Sequence, residues 1–180
     1  LGGVFGGAVD RHMVEGDRRP AAAAHVLLGD RGVAEPALGQ FVEAVAATEV
    51  ALHIEGKTGI LCDDRYGQDA LNAATGRGWW IGRAVELPGS NPVVFDRGRS
   101  VGTTLIAWPQ EHIVKCLVYY HPDDAIDHRL EQEAQMRTLY DACQASGHEL
   151  LLEIIPPRHL PRTDDTVLRA MKRIYNLGIY

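Results

Sequence analysis

The chain has 180 residues, with 18 lysines and arginines against 24 aspartates and glutamates, a net charge of −6 and 46% hydrophobic residues. This balance argues against nucleic acid or an anionic membrane as the main partner, because both attract a basic surface. A transmembrane helix needs about 20 successive apolar residues, and the apolar runs here are much shorter. Cys62, Cys116 and Cys143 are too few and too scattered for a disulfide framework or a CxxC zinc site. We therefore expect a soluble protein of the reducing cytoplasm.

Residues 1–56 carry the weakest patterns. The chain starts at Leu1 without a methionine, so we expect the native N-terminus to lie upstream. A weakly amphipathic segment over 38–51 predicts a helix with Phe41, Val45 and Val50 facing the core. The domain is therefore divided into a poorly defined part, 1–56, and a well-defined part, 57–180.

From residue 58 onward, apolar strands alternate with amphipathic helices. The predicted strands are 59–62, 79–86, 112–120 and 149–155, and the predicted helices are 68–74, 123–146 and 163–177. Asp123 or Asp124 is expected to cap the second helix, and Thr163 or Asp164 the third. The residues expected to be buried on these two helices are Ile126, Leu130, Met136, Leu139, Tyr140 and Cys143, then Val167, Leu168, Met171, Ile174 and Tyr175. A loop rich in Gly, Pro and Arg covers 90–101, and 179–180 resembles the start of a further strand.

This order predicts an α/β fold of consecutive βα units with right-handed crossovers. Four or five units can be counted, against eight in the roughly 250 residues of a complete (β/α)8 TIM barrel. The chain is thus either a small open sheet or an incomplete TIM barrel of about five of eight units, and its end at a strand start favours the barrel piece. An open piece would expose a strand edge and apolar faces, so we expect the isolated chain to aggregate or form homo-oligomers.

A lysine in the middle of an apolar strand is the most unusual feature. Alternation places Lys115 with Leu117 and Tyr119 on one face of the strand 112–120, opposite a wholly apolar face. If helices cover the apolar face, the charge of Lys115 lies on the ligand side and needs a partner. Glu153 has the same character on the next strand, about 4.8 Å away. Such a pair can bind a phosphate or carbonyl oxygen and transfer protons, with a structural ion pair as an equal alternative.

Further charged residues follow the strands. Asp63, Asp64 and Arg65 stand at the edge where α/β proteins bind ligands, so they are candidates for substrate hydroxyl or phosphate contacts; a loop start with a helix cap is the alternative. Arg83 is a candidate phosphate partner, whereas Glu86 is equally well explained as a solvated strand end. The histidines show no HxH or HExxH spacing, and neither phosphate-binding glycine motif is present. We therefore expect no metal site, no nucleotide-binding domain and no cofactor.

Four stretches, GILCDDRYGQDAL, WWIGRAVELPGS, HIVKCLVYYHPDD and HELLLEIIPP, together resemble the aldolase-like domain found C-terminal to the 5-dehydro-2-deoxygluconokinase of bacterial inositol catabolism. More distantly they are similar to class I tagatose-bisphosphate aldolases, which are TIM barrels. The resemblance covers roughly residues 57–180. Within 1–56 only Asp10 and Arg11 fall near the family's first-strand Asp-His-Arg element.

The resemblance implies that Lys115 contacts the substrate, that Glu153 transfers protons and that Asp63 or Asp64 lines the pocket. It also implies that the imine-forming lysine lies on a strand past Gly178, so the chain alone is expected to be inactive. The implied reaction in myo-inositol catabolism cleaves a phosphorylated deoxy-keto-sugar acid into dihydroxyacetone phosphate and malonate semialdehyde. Two alternatives stay open: a non-catalytic sugar-phosphate-binding domain attached to a sugar kinase, and an inactive fragment.

Overall fold

The computed structural model describes residues 22–25, 35–53, 57–65, 67–98 and 100–180. Asp10 and Arg11 lie outside the described residues. Within these ranges the strands are β1 (Ala22–His25), β2 (Thr58–Cys62), β3 (Trp80–Ala84), β4 (His112–Tyr119) and β5 (Leu150–Ile155). The helices are α1 (Glu35–Leu52), α2 (Gln68–Ala74), α3 (Val101–Ile106), α4 (Ile126–Ser146) and α5 (Asp164–Asn176).

The five described strands form one parallel sheet in the order β1-β2-β3-β4-β5. Each strand pairs with the next through a crossover that contains a helix, so the predicted α/β class of repeated βα units is confirmed. The register aligns Ala84 with Lys115, and Leu117 with Glu153. Because all the strands run in the same direction, their carboxyl ends meet at one edge of the sheet, which we call the carboxyl edge.

Two hydrophobic clusters fill the space between the sheet and the helices. The larger cluster packs Val114, Cys116 and Val118 of β4 against α3, α4 and α5. The smaller cluster joins Ile60 of β2 and Ile81 of β3 to α1 and α2. Burial of this face explains why alternate residues of β4 are wholly apolar. The opposite face of β4, which carries the lysine, is the face left for a ligand.

Local chemistry sets the ends of α4 and α5. Gly147 follows α4 with a φ of 76°, a left-handed conformation that glycine adopts without strain, and its N–H reaches the carbonyl of Cys143. At the start of α5, Thr163 Oγ1 accepts a hydrogen bond from Thr166 N at 3.2 Å, as predicted for a capping threonine. The predicted aspartate cap of α4 is wrong, because Ala125 occupies that position without a side-chain cap.

The buried faces of α1 and α4 differ in part from the prediction. In α1, Phe41 and Val50 are 39% and 60% exposed, whereas Val42 and Glu49 are buried. Glu49 accepts a hydrogen bond from Trp79 Nε1 at 2.7 Å, so a polar residue replaces the expected apolar one. In α4 Met136, Leu139 and Cys143 of the predicted face are buried and Tyr140 is half-buried, but Ile126 and Leu130 near the start of the helix are exposed.

The helix α5 shows the largest difference from the prediction. Ile174 is buried together with Thr166 and Ala170. The exposed members of the predicted face are Val167, Leu168, Met171 and Tyr175. Among the described residues, none packs over these four side chains closely enough to bury them. The amphipathic pattern of a helix does not indicate which element covers each part of its apolar face.

Three boundaries also differ. The predicted second strand extends over 79–86, but β3 ends at Ala84, and Glu86 instead pairs with Phe95 in an antiparallel bridge. The short helix α3 follows the predicted loop. Residues 179–180 are not in a strand; Ile179 is buried against the larger cluster.

Candidate functional site

A cleft of about 530 Å³ opens at the carboxyl edge, where β2, β3 and β4 end. Its floor consists of the strand residues Leu61, Ala84, Lys115, Leu117 and Tyr119. Its rim comes from the segments that follow β2 and β3. The charged residues that line it are Asp63, Asp64, Arg65, Glu86, Asp96, Arg97 and Lys115. A concave site with apolar walls and a few convergent polar groups is the usual form of a small-molecule site, and this edge is its usual place.

Lys115 lies on the floor between two carboxylates. Its Nζ is 2.7 Å from Oε1 of Glu86 and 3.4 Å from Oε2 of Glu153. The side chains of Lys115 and Glu86 are 5% and 10% exposed, whereas that of Glu153 is 49% exposed. The register places Glu153 beside Leu117, two residues along the same face of β4. The structure therefore brings together the two residues predicted from alternation, but Glu86 is the closer and more buried partner.

The sequence explains Glu86 equally well as a solvated strand end, whereas the structure places it inside the cleft. Val85 N donates to the carbonyl of Lys115 at 3.0 Å, which holds the next residue beside the lysine. Oε2 of Glu86 is buried and has no hydrogen-bond partner among the described residues. Such an acceptor is costly to leave unfilled, so it is a natural contact for a ligand donor or water. The alternation from Ala84, which is in register with Lys115, was the signal that could have found it.

Asp64 bridges two arginines at the rim. Its Oδ1 accepts a hydrogen bond from Nε of Arg83, and its Oδ2 is 3.1 Å from Nη2 of Arg97. The guanidinium of Arg83 lies over Trp108, with Cζ 3.9 Å from the ring centroid. Arg83 is not among the residues that line the cleft. Alternation in β3 puts it on the helix-covered face with Ile81, so it stands behind Asp64 and orients that carboxylate.

The other two predicted rim residues shape a turn and also line the cleft. Asp63 Oδ1 accepts a hydrogen bond from Arg65 N at 2.8 Å, which bends the chain after β2. Gly67 closes this turn through its N–H to Asp63 O at 3.1 Å, and a Cβ there would lie 2.5 Å from the same oxygen. The segment is a turn that leads into α2 and forms part of the cleft, but the alternative of an aspartate helix cap is wrong, because Gly67 is the N-cap of α2 and no side chain caps it.

The thiols of the chain are poor nucleophiles. Burial, with a contribution from the charge of Asp63, raises the pKa of Cys62 to about 11, although this residue lines the cleft. Burial raises the pKa of Cys143 to about 12, and it raises that of Cys116 as well. A thiol reacts as its thiolate, so the chemistry of the cleft rests on the lysine and the carboxylates. Within the described ranges, no three His, Cys, Asp or Glu side chains are grouped to hold a metal ion.

The fold and the cleft define an α/β protein of repeated βα units with a polar site at the carboxyl edge. Residues 36–180 match a family described as "uncharacterized protein conserved in bacteria (DUF2090)". Because the match spans most of the chain, the chain belongs to the DUF2090 family. A search of curated proteins gave no match. None of the described helices combines the length and the apolar character needed to cross a membrane.

Proposed function

We propose that this chain is the aldolase-like part of a cytoplasmic enzyme that cleaves a phosphorylated deoxy-keto-sugar acid, as in myo-inositol catabolism. The observation that carries the proposal is the buried Lys115 on the floor of a cleft at the carboxyl edge, paired with Glu86, which lines the cleft, and with Glu153, which lies beside the lysine but is not among the lining residues. In a doubly wound sheet the order of the strands changes direction at a switch point, whereas the five described strands follow the order of the chain. This strand order supports an incomplete (β/α)8 TIM barrel of about five of eight units.

The chemistry of aldol cleavage suits these side chains. A base removes the proton from the hydroxyl group β to the ketone, and the freed oxygen electron pair forms the aldehyde carbonyl as the bond between the α and β carbons breaks. The electron pair of that bond forms a C=C bond to the ketone carbon, whose π electrons move to its oxygen, or to nitrogen where an imine has formed. Glu153 is half exposed, so it can accept that proton and exchange it with solvent. Lys115 can donate a hydrogen bond to a substrate oxygen, and Glu86 holds the ammonium group in place. The resemblance assigns imine formation to a lysine on a later strand, which is why Lys115 is given a binding role.

The test is the Glu153→Gln variant of the complete gene product, assayed with 5-dehydro-2-deoxygluconate 6-phosphate. We expect dihydroxyacetone phosphate and malonate semialdehyde from the wild type and turnover reduced to background in the variant. Because the side chain is 49% exposed, its folding should be unchanged. Glu149→Gln, at an exposed position just before β5, is the matched control and should keep full activity. Full activity of Glu153→Gln would overturn the role of this residue, and a wild type without products would overturn the aldolase function.

A second candidate function is a sugar-phosphate-binding domain without catalysis, attached to a sugar kinase. It is favoured because Lys115, the lysine among the residues that line the described cleft, is held in two ion pairs, so the described part of this cleft offers no free amine for an imine. In that case the sugar acid phosphate should raise the melting temperature of the complete protein without forming products. An inactive fragment would show neither response.

A further inference from the structure

Arg97 stands on a firmly held part of the rim. The segment before it is a hairpin in which Leu87 N donates to Val94 O at 2.7 Å and Asp96 N donates to Val85 O at 2.9 Å. This hairpin is anchored from below, because Val93 and Phe95 are buried and Val93 N donates to the buried Gln132 Oε1 at 2.7 Å. A residue that follows such a hairpin has a fixed position at the mouth of the cleft.

Asp64 contacts two arginines, and Arg97 is the one that can leave it to bind a ligand. Asp64 is 7% exposed and keeps the buried Arg83 on its other oxygen. Arg97 is 56% exposed, and its Nη2 lies 3.1 Å from Oδ2 of Asp64. A guanidinium carries five N–H donors in a planar fork that suits carboxylate and phosphate groups. A ligand can therefore bind Arg97 while Asp64 stays paired with Arg83, so no unpaired charge is left buried.

The floor of the same cleft offers the complementary contact. Oε2 of Glu86 is buried without a hydrogen-bond partner among the described residues, while Oε1 is occupied by Lys115. A carboxylate oxygen accepts hydrogen bonds only, so it recognises a hydroxyl group and repels an anion. The anionic end of a ligand belongs at Arg97, and its hydroxyl-bearing end belongs at Glu86.

We propose that Arg97 binds the oxyanion terminus of a hydroxylated organic acid or phosphate monoester, and that Glu86 accepts a hydrogen bond from a hydroxyl of the same ligand. This inference deepens the proposed function, because it names the group that selects a phosphorylated or carboxylated sugar over a neutral one. Asp64 acts as a placeholder that holds Arg97 in position when the cleft is empty.

The experiment is calorimetric titration of the complete protein with glycerol 3-phosphate, glycerate and glycerol. We expect at least one anion to bind more tightly than glycerol, and the Arg97→Gln variant to weaken that binding at least about tenfold, because the variant loses a charge-assisted hydrogen bond to the anion. Tighter binding of glycerol 3-phosphate identifies a phosphate site, and tighter binding of glycerate identifies a carboxylate site. Unchanged anion affinity in Arg97→Gln, or no preference for either anion over glycerol, would overturn the proposal.

The matched control is Arg77→Gln. Arg77 is also paired with a carboxylate, that of Glu43, but it lies in the turn before β3 at the opposite edge of the sheet. This variant should bind both anions as the wild type does. If Arg77→Gln weakens binding as much as Arg97→Gln, the effect is one of net charge and the assigned site is wrong.

The role of Glu86 is tested with the ligand rather than with a variant alone, because Glu86→Gln removes the closest partner of a buried lysine. Glycerol 3-phosphate is compared with propyl phosphate, which lacks the hydroxyl groups. The wild type should lose affinity when the hydroxyls are removed, and a folded Glu86→Gln variant should lose less. No loss in the wild type overturns the hydroxyl contact. Cleavage is measured separately, so anion binding at Arg97 without products would refute the aldolase function and leave this inference standing.

Discussion

The two edges of the sheet use polar side chains in different ways. At the amino edge, Glu111 accepts from Gly76 N at 2.8 Å and Gln110 donates to Ser146 O at 3.0 Å, and the ion pair of Arg77 with Glu43 lies away from the cleft. At the carboxyl edge, charged side chains bind one another, as in the contacts of Lys115 with Glu86 and Glu153. The first arrangement ties loops together, whereas the second gathers charge around a cleft.

This difference shows which polar residues serve folding and which can serve a ligand. A side chain that closes a backbone hydrogen bond is committed, because removing it exposes an N–H or C=O group. An ion pair in a cleft can exchange one partner for a ligand group of the same charge. The polar side chains of the amino edge are therefore needed for folding, whereas those of the carboxyl edge can take part in the chemistry of a βα protein.

The largest effect is expected from Lys115→Met. This change removes the hydrogen-bond donor from the floor and keeps a side chain of similar length, so turnover of the sugar acid phosphate should fall about 100- to 1000-fold, the range typical of losing one donor to a developing oxyanion. Steady-state kinetics on the complete protein measures it. Retention of wild-type turnover would show that the lysine has a structural role only.

A matching change at the amino edge supplies the control. Glu111→Gln replaces an exposed carboxylate that accepts from Gly76 N, and the amide oxygen can still accept that bond. Turnover should be unchanged. If the two variants lower turnover equally, the proposed contrast between the edges is wrong.

The next effect is on stability. Asp64→Ala removes the carboxylate from a buried arginine, since the Arg83 side chain is 10% exposed. Breaking such a pair should lower the free energy of unfolding by about 3 kcal/mol, because the remaining charge stays buried. Asp141→Ala, which removes an exposed pair with Arg137, should change it by less than about 1 kcal/mol. Urea unfolding measures both, and equal losses would contradict the assigned burial of the rim network.

The parts of the fold that the sequence predicts well are those set by local pattern. The predicted strand around Lys115 and the predicted helix after Thr163 are both confirmed. They could be predicted because alternation, a capping threonine and a terminating glycine act over only a few residues. Which face of α5 is buried depends on the neighbours in the sheet, so Met171 and Tyr175 are exposed despite their apolar pattern.

The residues of the site also divide into those that a local pattern predicts and those that depend on the tertiary fold. The position of Lys115 and Glu153 on one face follows from alternation and the order of strands, so both could be proposed from the sequence. Glu86 and Arg97 depend on how the chain turns back after β3, through the bridge between Glu86 and Phe95. Alternation from Ala84 indicates the face on which Glu86 lies, but no short-range pattern indicates that the chain turns back and brings Arg97 to the same cleft.

The smallest effect is a pH dependence at the amino edge, where His112 lies buried with its Nε2 2.9 Å from Thr75 Oγ1. Burial first, and then the positive charge of Arg83, lowers the pKa of His112, with Glu111 and Asp64 acting in the opposite direction and His148 adding to the lowering. Below its ordinary pKa of about 6.5 the unfolded chain binds a proton that the folded chain does not, so stability falls as the pH decreases through that region and levels off below the folded pKa. One such group changes the free energy of unfolding by at most about 1.4 kcal/mol per pH unit.

His112→Gln should therefore flatten the stability profile between pH 7.5 and about 5.5, measured by urea unfolding at each pH, whereas Gln110→Ala should shift the profile without changing its slope. A profile of His112→Gln parallel to that of the wild type would show that another group carries the dependence.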